Sequence, residues 1–220
     1  MIVVDRRDLR WLQPMFGRLF RRGPRPAPAE GAAAVTGAAA GLAAAADALE
    51  AAGLVGAGAA AIVVAPWDTA EAMTAGLTVE PLVREQVEKA GLELSSIRDA
   101  DERGEIQTRI WWVVSRGSVE ELARAVGAAH RATGQYESLV RWLVFAFRDA
   151  DGENRPAYLI YNSRTCDWTP LVPPPGSTGT ESGDCDIARE QELRDRLTGR
   201  LAIDLDAEPE RSFRARSIPL

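Results

Sequence analysis

The stretch "RWLVFAFRDADGENRPAYLIYNSRTCDWTPLVPPPG", Arg141 to Gly176, decides how this chain is read. Its first limb alternates. Leu143, Phe145 and Phe147 leave one side of a strand, while Trp142, Val144 and Ala146 leave the other. "DADGENRP" then supplies a turn, with Asp151-Gly152 as its sharpest element. The second limb, "AYLIYN", sets Tyr158 and Ile160 against Leu159 and Tyr161. Both faces of both limbs are apolar. Such a hairpin belongs in the middle of a sheet or beneath a partner, because a sheet with one wet face alternates apolar with polar residues. The continuation "SRTCDWTPLVPPPG" reads as an edge segment, since its prolines cannot donate to a central ladder. Tyr161, Trp168, Pro170, Val172 and Pro173 are the residues expected to present an apolar docking surface to a protein partner.

Outward from the hairpin, "SVEELARAVGAAHRATG" predicts the clearest helix. Ser118 and Glu121 have capping-box spacing, and Gly134 is a good stop. "GEIQTRIWWVVS" before it becomes an apolar run, as a buried strand does. "TVEPLVREQVEKAG", Thr78 to Gly91, predicts a second helix. "AAAGLAAAADALEAAG" predicts another, ended by Gly53 and followed by the strand "AAIVVAP". "GLVGAG", Gly53 to Gly58, is no dinucleotide loop: it follows a helix and opens a strand, the reverse of the order a phosphate cradle needs. A last helix begins near Ile187, with Asp184 and Asp186 placed to cap it. Strands around 59–65, 106–115, 140–148 and 157–163 then make an α+β fold, a central antiparallel sheet with helices on one face.

The totals suit one domain of ordinary size, read as residues 29–220 with a polar loop near 173–185. Residues 1–28 form a basic and flexible lead-in, with seven arginines against Asp5 and Asp8. That is +5 in a chain of net charge -6, so the body carries -11. An acidic body argues against nucleic acid as a partner, because phosphate binding needs a basic face. Within the lead-in, "MFGRLFRRG" alternates Phe16, Leu19 and Phe20 with Arg18, Arg21 and Arg22. This short amphipathic piece suits an anionic membrane surface or a partner groove, and a disordered basic tail is the other reading. No run of about 18 apolar residues predicts a membrane-spanning helix. No secretory signal pattern is visible either, so a cytoplasmic protein is expected. The two cysteines, Cys166 and Cys185, are read as reduced structural thiols, with neither a metal nor a cofactor site around them. His130, the single histidine, ends an apolar helical stripe and is read as a packed side chain.

The succession of "WWVV", "SVEELARAVGAAHRA", "LVRWLVFAF", "YLIYNSRTCDWTPLVP" and the closing "LAIDLDAEPERSFRARSIPL" resembles PspAB, a family of small proteins associated with phage shock protein A. "AADALEAAGLVGAGAAAIVV" is similar to that family's first helix and strand, so the resemblance runs from about residue 42 to 220. "MFGRLFRR" matches the style of the family's opening motif, which implies Met15 as the natural start. The resemblance implies a non-enzymatic accessory of the actinobacterial envelope-stress response. Its partner would be a phage shock protein A-like protein or a membrane protease, at the inner face of the membrane. The order of elements is also similar to type III secretion chaperones and their YbjN-like relatives, an analogy of fold alone. Two alternatives follow from the residues: a homodimeric chaperone-like binding protein, and a thiol-dependent hydrolase pairing Cys166 or Cys185 with His130.

Overall fold

The aromatic hairpin lies where its two apolar faces require, in the interior of a six-stranded sheet. The structure is a computed structural model that describes residues 28–66, 68–99, 109–151, 154–176, 185–203 and 218–220. The strands are β1 (Leu54–Val64), β2 (Glu93–Asp99), β3 (Arg109–Ser115), β4 (Val140–Asp149), β5 (Arg155–Asn162) and β6 (Asp167–Leu171). They are ordered β2-β3-β1-β4-β5-β6, and every neighbouring pair is antiparallel. The hairpin is β4–β5, flanked by β1 and β6. Phe145 stands opposite Leu159 and Leu143 opposite Tyr161 on one face. Val144 opposite Ile160 and Ala146 opposite Tyr158 make the other. All eight are buried.

The helices are α1 (Pro28–Ala44), α2 (Ala46–Ala51), α3 (Thr69–Thr74), α4 (Glu80–Lys89), α5 (Val119–Thr133) and α6 (Ile187–Leu197). A π-helical turn, Ala75–Val79, joins α3 to α4 without a break. Proline at the start of α1 costs no helical hydrogen bond, because the first turn has no acceptor for that N–H. Helix α5 begins as its sequence predicts: the Ser118 hydroxyl accepts from the Glu121 N–H at 3.2 Å, and the Glu121 carboxylate accepts from the Ser118 N–H at 2.8 Å. Each bond satisfies a backbone donor that the helix leaves unpaired.

One core joins these helices to one sheet face. It contains Leu42 of α1, Leu49 of α2, Val83 and Val87 of α4, Leu122 and Val126 of α5, and Leu193 and Leu197 of α6. The sheet contributes Ile62, Trp112, Val114, Leu143, Phe145, Leu159 and Trp168. Helices on one face of an antiparallel sheet is the expected α+β arrangement. The expected strands are present too, β1 starting five residues earlier than the sequence suggests.

Two elements were not foreseen, α3 and β2. Strand β2, "ELSSIRD", has no clean alternation because it is a sheet edge: among its described side chains Leu94 is partly shielded and the others are exposed. Neither face has to be apolar, so the period-2 signal fades. The opposite edge is β6, and there the proline argument holds. The Trp168 N–H turns away from β5 and donates to the Ala202 carbonyl at 2.7 Å. Pro170, two residues on, shares that outward side and needs no ladder donor.

Candidate functional site

The five residues expected to form the docking edge are inside the protein. Trp168 is 1% exposed, its ring packed against Tyr161 and Phe145 with centroids 5.2 and 5.9 Å apart. Tyr161 and Val172 are buried in the same helix-side core, and Pro170 and Pro173 are buried as well. The expectation of an exposed aromatic edge is corrected. Strand β6 is an edge in its hydrogen bonding, but α6 lies over it and the 201–203 segment runs beside it, through the bridge from Trp168 to Ile203. The Tyr161 hydroxyl is pushed well up by burial and by its hydrogen bond with Cys166, as a structural phenol is. Residues Phe16, Arg18, Leu19, Phe20, Arg21 and Arg22, and Met15, lie outside the described residues.

The end of the sheet beneath α6 is tied by buried charges that composition did not reveal. Asp149, last in β4, is fully buried. Its carboxylate accepts from the Arg189 guanidinium at 2.7 Å and from Arg155 at 3.4 Å. Arg189 also donates to the Ala52 carbonyl at 2.7 Å, which links α6 to the turn between α2 and β1. Arg155 reaches Asp186, the N-cap of α6, at 2.7 Å. The Arg189 N–H and then the Arg155 guanidinium hold the Asp186 carboxyl below its ordinary range. Glu190 faces the same region and accepts from the Val172 N–H at 3.1 Å. Every one of these charges is used within the fold, so the network fastens α6 to the sheet.

The nucleophile candidates are not brought together. Cys166 packs with the helix-side core, and its thiol points to the Ser163 carbonyl at 3.8 Å. Cys185 packs on the opposite side of the sheet, and neither cysteine is joined in a disulfide. His130 is 2% exposed on α5, and its Nδ1 has no hydrogen-bond partner among the described residues. Burial and then the positive Arg131 push its pKa down to about 4. Among the described residues no group of three His, Cys, Asp or Glu side chains has a metal-binding arrangement.

The remaining candidate is the second sheet face. Ala61, Val63, Trp111, Val113, Val144, Ala146, Tyr158, Ile160 and Leu171 form a separate buried cluster there, and none of the described helices contributes to it. Among the described residues, those packed on this cluster from outside the sheet are Cys185, Ile218 and Leu220. At the rim, Arg109 lies over the Trp142 ring at 5.4 Å, a cation–π contact. Two other residues of this face remain open to solvent. Val55, paired with Arg148, is 52% exposed, and Ile97, paired with Trp111, is 38% exposed.

A family model described as PspA associated protein B matches residues 12–219. The chain belongs to this family, PspAB. The resemblance read from the hairpin and the closing segment is therefore sound, and it covers nearly the whole chain. The family name associates its members with PspA, the phage shock protein. No curated protein and no solved structure matches the chain. The comparison with type III secretion chaperones thus rests on the order of elements alone. Among the described residues, no helix of this PspAB protein is long and apolar enough to cross a membrane.

Proposed function

We propose that this PspAB protein is a non-enzymatic adaptor of the phage-shock type of envelope-stress response, and that it docks a PspA-type protein on the helix-free side of its sheet. The observation that carries this reading is the family match over residues 12–219. The architecture supports it in two ways. The Cys166 thiol has the Ser163 carbonyl as its hydrogen-bond partner, and Cys185 packs on the face opposite the helix that carries His130. The helix-free face meets no described helix and carries, beneath Ile218 and Leu220, Trp111 and Tyr158, residue types that supply most binding energy where proteins associate. Its open rim residues, Val55 and Ile97, give a partner apolar surface to cover. In this reading the protein works in the cytoplasm. The basic Phe16–Arg22 piece rests on the anionic inner membrane surface, close to membrane-bound partners such as a protease.

The test is affinity co-purification from the native host, with and without membrane stress, comparing the full chain with one starting at residue 29. A PspA-type protein recovered with both places recognition in the body. Recovery with the full chain alone moves it to the basic segment. Absence of any PspA-type protein from a folded full-length bait contradicts the adaptor reading.

A further inference from the structure

Residues 218–220 are seated on the sheet. Ile218 is 7% exposed and belongs to the cluster on the helix-free face, and Leu220 packs against it. The Leu220 N–H donates to the Ile218 carbonyl at 2.9 Å, so the tripeptide makes a tight turn of its own and does not extend the sheet ladder. Among the described residues, two branched side chains, set two residues apart around Pro219, seat it on a floor that includes Trp111, Val144, Tyr158, Ile160 and Leu171. The opposite face closes with whole helices, one of which, α6, is tied down by a buried ion network. The described contacts of this segment with the sheet are side-chain packing, in contrast to the ion pairs that fasten α6.

We propose that the helix-free face is a groove for short apolar peptide segments and that Ile218-Pro219-Leu220 is its built-in occupant, an internal latch. The external ligand is a partner segment with two branched aliphatic side chains around a proline, because that is the chemistry already seated there. The latch covers part of this floor until the partner displaces it. The inference deepens the adaptor reading and rests on its choice of this face. Its test uses no phage-shock component and so can fail separately.

The experiment is fluorescence anisotropy with a labelled nonapeptide of residues 212–220, SFRARSIPL, titrated with wild-type protein and with the full-length double variant Ile218→Asp, Leu220→Asp. Two carboxylates cannot enter the apolar site without a heavy desolvation cost, so the variant's own tail leaves it. The expected result is saturable binding at least tenfold tighter to the variant than to wild type, with the cooperative melt retained. A peptide carrying the same two aspartates should not bind. Equal affinity for both proteins, or no saturable binding to either, overturns the latch. Equal binding of the aspartate peptide overturns it too, since its arginines would then be responding to the acidic body. Should the double variant fail to fold, Ile218→Ser serves in its place, and peptide binding no tighter than wild type again overturns the proposal.

Discussion

The two faces of the sheet contain similar residues and are closed by different means. On one, Trp112, Phe145, Leu159 and Trp168 meet α1, α2, α4, α5 and α6, and α6 is fastened by Asp149, Arg155 and Arg189. On the other, Trp111, Val144, Tyr158 and Ile160 meet no described helix, and the tail residues Ile218 and Leu220 lie on them. An apolar face that is permanently covered is core; one covered by a detachable segment can serve two occupants. Apolar patterning on both sides of a strand therefore signals double coverage, and it does not say which side is for folding and which for recognition.

The largest expected effect lies on the helix side. Replacing Trp168 by Ala removes a fully enclosed indole between Tyr161 and Phe145 and should cost about 4 kcal/mol. Urea denaturation measures this, and a loss below about 1 kcal/mol would make that side less of a core than its burial indicates.

A pH series sharpens the contrast next. His130 titrates at about 4 in the folded chain against an ordinary value of 6.5. The unfolded chain thus binds the extra proton first as pH falls. Stability should be intact above about pH 6.5 and decline toward pH 4 by about 3 kcal/mol, a slope that His130→Gln removes. An unchanged slope in the variant would assign the decline to other groups. Asp186, whose carboxyl is held low, loses its contribution only as pH falls through the carboxylate range.

The smallest effect on stability belongs to the second face. Ile97→Asp, at an exposed position of edge strand β2, should change stability by less than about 1 kcal/mol. Urea denaturation measures this as well, and a large loss would make Ile97 part of the core.

Much of this was legible in the sequence, for identifiable reasons. The β4–β5 hairpin declared itself because both limbs alternate without a polar face, and α5 because Ser118 and Glu121 have capping spacing. Strand β2 was hidden because an edge needs no apolar side, and α3 because it is six residues long with Met73 exposed. The site was misjudged at Trp168 for a related reason. Prolines correctly mark a hydrogen-bonding edge, but they carry no information on what covers the side chains of that edge. The Asp149–Arg189 pair joins residues 40 apart in sequence, and no local pattern announces it.

The most direct test of the account is a calorimetric titration of the purified chain with a PspA-type protein from the same genome, run beside Ile97→Asp. The account predicts a saturable complex with wild type that weakens at least tenfold, about 1.4 kcal/mol, in the variant while its melting temperature stays within a few degrees. No saturable binding by folded wild-type protein, or equal binding by both, would contradict the assignment of recognition to this face.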